Sequence, residues 1–236
     1  MESIQKTARI CGALYLCSAV AAGLPLIYVS NYLIVPGKPS ETAKNILASE
    51  MLFRASIASE LVGAIVFIFM ARALYRLMNA VDHSYTSLMV TLVLLSVPIS
   101  FANALNEIAA LTLVRGDSPL AVFDESQRHA LAMLFLGLHQ DGVGLANIFW
   151  GLWLFPFGML VIKSGFLPRL LGALLILNGV ALVTVSLTAL LLPAALDAVN
   201  RFAIFPELGE LWAMGWLLIK GVRVPGQTAE PTPAHD

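Results

Sequence analysis

Five carboxylates fall inside or at the edge of apolar stretches: Glu60, Glu107, Asp141, Glu207 and Glu210. A charged group placed in a membrane span costs about 2.5 to 3.5 kcal/mol at the centre on insertion scales, so such residues face a cavity or one another. Ser96, Ser100, Asn103 and Glu107 sit at helical offsets that keep them within about 60° on one face, a polar stripe on an otherwise greasy rod. Ser56, Glu60 and Gly63 make a shorter version. Asp141 and Asn147 stand beside glycines spaced by seven, Gly137, Gly144, Gly151, Gly158 and Gly165, a spacing that keeps a bare seam turned toward a partner helix. His139 precedes Asp141 by two positions, and Glu207 and Glu210 follow Pro206, where the first turn of a last helix would favour negative charge.

If these faces converge, they form an acid-rich pocket near one membrane surface. Arg54, Arg115 and His139 are the basic groups nearest to it in sequence. A pocket of that charge would suit a cationic or polar solute, a metal ion or a relayed proton. The residues read as ligand-binding are Glu60, Asn103, Glu107, His139, Asp141, Asn147, Glu207 and Glu210. A metal-dependent enzyme is the sharper alternative, with His139, Asp141 and a glutamate from another span as ligands to a divalent ion. On an unbroken helix, however, His139 and Asp141 point about 160° apart, so sharing an ion requires the helix to unwind, and no metal ligands are assigned. The bland alternative is a scaffold, its polar groups simply hydrogen-bonding the helices together at about 0.6 kcal/mol each.

Other chemistry is poorly represented. Ser56 and Ser100 lack a basic partner, no Gly-rich loop follows a strand, and no histidine lies deep enough in a span to ligate haem, so the sequence names no cofactor. His83, His129 and His235 fall in turns, at an interface or in the tail. Cys11 and Cys17, six apart in the first apolar segment, diverge by about 120° and read as free thiols.

The elements that must hold these residues are transmembrane. The 236 residues are 58% hydrophobic and 12% charged, with a mean hydropathy of +0.83, against roughly 25% charge in a soluble domain. Several apolar runs exceed the roughly 20 residues that cross a bilayer core. A net charge of -1 without a basic run excludes nucleic acid as a partner. The partner the composition requires is the lipid bilayer.

Six spans are expected, near residues 9–34, 52–74, 85–114, 141–162, 170–192 and 206–219, in a single domain over residues 1–224. The first begins behind Lys6 and Arg9 as an export signal would, but its apolar run is longer than a signal core and reads as a retained span. Pro25, Pro98 and Pro156 lie inside spans as kinks. Two amphipathic helices are expected on the membrane surface, over residues 40–51 and 125–138, the second opened by a capping box at Asp124 and Gln127. A straight helix from 125 to 164 would be about 60 Å long, twice the bilayer core, and residues 139–144, with two glycines and three polar side chains, are the expected break. Residues 225–236 read as a disordered tail.

Six spans place both termini on one side. Eight of the basic residues fall on that side and six on the other, so both ends are expected in the cytoplasm of a bacterial cell, with the bundle in its inner membrane. Eleven of the 15 acidic residues fall on the opposite, outward side. Association of several copies stays open.

Several segments carry a resemblance over nearly the whole chain. They are residues 8–16 (ARICGALYL), 33–37 (LIVPG), 46–54 (ILASEMLFR), 138–139 (LH), 149–151 (FWG), 165–172 (GFLPRLLG), 209–211 (GEL) and 216–221 (WLLIKG). Together they resemble the bacterial domain of unknown function 4386 family, most specifically in the GFLPR turn. Trp150 stands where phenylalanine is more usual. The resemblance implies six membrane spans and brings no activity, substrate or cofactor; it does mark His139 and Glu210 as recurrent positions. The sequence therefore reads as an all-α, six-helix membrane bundle whose outward pocket takes a small cationic or polar ligand.

Overall fold

The computed structural model describes residues 2–116 and 122–222, with the side chains of residues 4–116, 122–203 and 208–222. Among them every regular element is helical: α1 (Glu2–Tyr28), α2 (Pro39–Ala48), α3 (Glu50–Met78), α4 (His83–Arg115), α5 (Glu125–Leu152), α6 (Leu154–Ser164), α7 (Arg169–Leu191) and α8 (Leu196–Ile219). Six stretches are long and apolar enough to cross a membrane, with α5 and α6 together forming the fourth. The protein is a multi-pass membrane bundle. The tail at 225–236 lies outside the described residues.

Neighbouring spans close a ring in the order α1, α3, α4, α5, α7, α8 and back to α1, with α6 filling the space between α4 and α7. The first and last described segments meet at one end, where Gln5 Nε2 donates to the Lys220 carbonyl at 2.8 Å and the Val222 amide donates to Gln5 Oε1 at 2.9 Å. At that same end Asp82 caps α4 by accepting from the Tyr85 amide. Lys163 donates to it at 2.8 Å, and that ammonium holds the Asp82 carboxyl below the usual carboxylate range. The main apolar core also lies toward this end, around Trp153, Phe157, Met70, Leu74 and Leu217. A second cluster, around Phe53, Ile46, Leu111 and Leu136, seals α2 onto the opposite end.

The expected spans agree with the helices in number and order, and three local details differ. First, α5 runs without interruption through His139 and Gly144. Residues 125–138 are therefore its outer part rather than a separate surface helix, although the Asp124 and Gln127 capping box is formed in both directions. The break comes at Trp153, and Pro156 accounts for it: a proline ring clashes with the carbonyl four residues back, here Leu152, the last residue of α5. Two glycines in a well-packed helix cost about 1 kcal/mol each and do not end it. Second, α8 starts at Leu196, so Glu207 and Glu210 lie well inside a helix and not in its first turn.

Third, the glycine repeat serves three purposes. Gly151 and Gly158 face Gly179 and Gly172 of the antiparallel α7, so closely that an added methyl at Gly158 would lie 2.6 Å from the Gly172 carbonyl oxygen. Gly165 instead closes α6 with a positive φ of 68°. Gly137 and Gly144 have open space beside them.

This division predicts opposite outcomes for one chemical change. Gly158→Ala should lower stability by about 1 to 3 kcal/mol because backbone must move, whereas Gly137→Ala should be neutral or stabilising by up to about 1 kcal/mol. Thermal unfolding of the detergent-solubilised protein, followed by circular dichroism, measures both.

Candidate functional site

The polar stripe of α4 turns into the middle of the ring. Ser96, Ser100 and Asn103 line a cavity of about 390 Å³, to which all six spans contribute side chains. From α1 come Ser18 and Leu26, from α3 Glu60 and Phe67, from α5 Asn147 and Trp150, from α7 Asn178, and from α8 Glu210 and Met214. Among the described residues the lining holds two carboxylates and three aromatic rings, Phe67, Trp150 and Trp153, and no lysine, arginine or histidine.

The carboxylates lie at two levels. Glu60 is ten residues into α3, about 15 Å from its start, and Glu107 is eight residues before the end of α4, about 12 Å in. Both therefore belong to the half of the bundle opposite the termini. Glu210 is nine residues from Ile219, about 14 Å from the terminal end. The acids were expected together near one membrane surface; the ten extra residues at the start of α8 place Glu210 on the lower level instead.

At the upper level, α5 presents His139 between the other two spans. Its Nε2 is 3.9 Å from Glu60 Oε2, and its Nδ1 is 3.9 Å from Glu107 Oε2. Glu107 is wholly buried and His139 only 3% exposed. Both imidazole nitrogens, both Glu107 oxygens and Glu60 Oε1 are buried with no hydrogen-bond partner among the described residues. One donor atom from each residue lies within 4.8 Å of the others.

Asn103 fixes this arrangement. Its Nδ2 donates to the His139 carbonyl at 2.9 Å, and its Oδ1 accepts from Asn106 at 3.0 Å. The amide fits against α5 only because residue 142 is glycine, where a methyl group would overlap it. At the lower level Tyr15 Oη donates to Glu210 Oε1, and Asn178 Nδ2 donates to Oε2 at 2.6 Å. Tyr15 and Phe67 both pack edge-on against Trp153, each with ring centroids 5.6 Å apart.

Of the eight residues expected to bind ligand, Glu60, Glu107 and His139 come together around one point, Asn103 holds the His139 backbone beside them, and Asn103, Asn147 and Glu210 line the cavity with Glu60. Asp141 does not join them. The continuous helix turns it to an exposed face, away from His139, which removes it from the metal set considered above. The Glu207 side chain lies outside the described residues. Arg54 and Arg115 are engaged at the surface, where both donate to Glu50 Oε1, at 2.8 and 3.3 Å. Tyr15, Asn178 and Gly142 were missed; an asparagine in the middle of a 23-residue apolar helix was the available signal for Asn178.

A family model described as a domain of unknown function (DUF4386) matches residues 10–221. The chain belongs to that family. The match includes Glu60, Glu107, His139, Glu210 and every helix of the ring. No curated protein and no solved structure matches the DUF4386 chain, so its chemistry rests on its own side chains.

Because hydrogen bonds to a charged group contribute about 1.5 to 3 kcal/mol, Tyr15→Phe and Glu210→Gln should not be additive. A double-mutant cycle on unfolding free energies is expected to give a coupling above about 1 kcal/mol. Strict additivity would mean that the Tyr15 hydroxyl does not hold the carboxylate.

Proposed function

We propose that this protein sits in the bacterial inner membrane with both termini cytoplasmic and binds a small cationic or polar molecule in the central cavity. The observation that carries the reading is the composition of the wall: two carboxylates and the part-exposed rings of Phe67 and Trp150, with no basic side chain among the described residues. Aromatic faces attract an ammonium group with about 0.5 to 2 kcal/mol, more when desolvated, and a carboxylate supplies the counter-charge. Glu210 is the counter-ion in this reading, because Tyr15 and Asn178 fix its position. A volume of about 390 Å³ falls within the usual range for small-molecule sites. The charge bias supports the orientation, since Lys6, Arg9, Arg72, Arg76, Lys163, Arg169 and Lys220 cluster at the end where the termini meet.

Benzyltrimethylammonium and neopentylbenzene, its uncharged carbon isostere, test this directly by calorimetry on the purified protein. The cation should bind at least about tenfold more tightly than the isostere, a difference of roughly 1.4 kcal/mol. Glu210→Gln should abolish that preference without changing the weak binding of the isostere. Equal affinities in the wild type would overturn the proposal.

A further inference from the structure

The cationic-ligand reading uses Glu210 and the aromatic wall and leaves the upper cluster unexplained. Glu60, Glu107 and His139 come from three different helices, and their donor atoms converge within 4.8 Å of one another. Acceptors dominate the cluster, and at 3.9 Å the imidazole is beyond hydrogen-bond reach of either carboxylate. Each buried polar atom without a partner costs about 1 to 3 kcal/mol, and five such atoms meet here. Arg54 and Arg115 do not relieve this, because both are engaged with Glu50 at the surface.

We propose that Glu60, Glu107 and His139 form a divalent metal site that borders the cavity through Glu60. Two carboxylates balance the charge of a divalent ion, so the complete centre is neutral, as burial in a membrane bundle demands. The imidazole nitrogen selects a first-row transition ion or zinc over calcium and magnesium, which favour oxygen ligands throughout. Three donors within 4.8 Å of one another can all reach a common point at about 2.8 Å, so a contraction of about 0.6 Å gives normal bond lengths of 2.0 to 2.2 Å. Side-chain torsions of two glutamates accommodate that.

The supporting contacts fit the same assignment. Asn103 grips the His139 backbone against Gly142 and so fixes the side of α5 from which the imidazole projects. Glu60 also lines the cavity, so a fourth coordination position would open toward whatever the cavity holds. The assignment shares Glu60 with the cavity wall but not Glu210, the counter-ion of the cationic-ligand reading, so the two readings fail separately.

The test uses the full chain, purified in detergent without chelator and dialysed in turn against ZnCl2, MnCl2 and CoCl2. Metal content by mass spectrometry should reach about one equivalent per chain for at least one ion, with a matching rise in the unfolding temperature. Glu107→Gln and His139→Gln should each lower the content at least tenfold, whereas Glu210→Gln should leave it unchanged. Manganese or cobalt spectra should report a single nitrogen ligand in an otherwise oxygen environment. Circular dichroism and gel filtration establish that each variant is folded, and the partly exposed Glu60→Gln serves where a buried variant is not. Wild-type protein that takes up none of the three ions, or folded Glu107→Gln and His139→Gln that retain full uptake, would overturn the site. Intact metal uptake without any benzyltrimethylammonium preference would sink the cavity reading alone.

Discussion

One contact between two helices positions everything at the upper level of the cavity. The Asn103 amide lies in the notch left by Gly142 and donates to the carbonyl of His139, a group already committed to the hydrogen-bond ladder of α5. A second donor to that carbonyl specifies both the rotation of α5 about its axis and its height against α4. Rotation by a single residue would carry the imidazole about 100° away from both glutamates. Neither Glu60 nor Glu107 alone could impose this, since neither makes a hydrogen bond to His139.

The polar cluster does not hold the bundle together. Five buried atoms with no partner among the described residues, at about 1 to 3 kcal/mol each without an ion, weigh against a total folding stability of about 5 to 15 kcal/mol. The compensating terms are elsewhere: in the aromatic and aliphatic packing around Trp153, in the knot of Gln5 with residues 220 and 222, and in the backbone approach of Gly151 and Gly158 to Gly179 and Gly172. All three lie at the terminal end or between α5, α6 and α7. The cluster sits in the opposite half, between α3, α4 and α5, where the surrounding core is smaller. Rigidity and strain are thus divided along the membrane normal.

How legible this was depended on how local each cause is. The α4 face could be read because Ser96, Ser100, Asn103 and Glu107 obey one helical period and nothing interrupts it. The Asp124 cap could be read for the same reason. The fate of residues 139–144 could not, because two glycines weaken a helix by an amount that packing against Asn103 overrides, whereas Pro156 acts on Leu152 through a steric clash that packing cannot remove. Asp141 was grouped with His139 on the strength of that expected break, and it separates once the helix is whole. Tyr15 and Glu210 are 195 positions apart, and no spacing rule links them.

The two levels of the bundle meet the cost of a buried acid by opposite means. At the lower level Glu210 is approached by a phenolic O–H and a carboxamide N–H, so its charge is spread over donors that the fold itself provides. At the upper level Glu60 and Glu107 flank an imidazole that is too far away to donate to either, and the Asn103 amide is turned toward backbone instead. Had the upper cluster served only to join helices, the same residues could have closed the gaps to hydrogen-bond length, as Asn178 does with Glu210 at 2.6 Å. With one imidazole nitrogen 3.9 Å from Glu60 and the other 3.9 Å from Glu107, neither forms a hydrogen bond, while one donor atom from each of the three residues still falls within 4.8 Å of the others. The difference between the two levels therefore lies in distance rather than in residue type, and distance is set by the Asn103 and Gly142 contact.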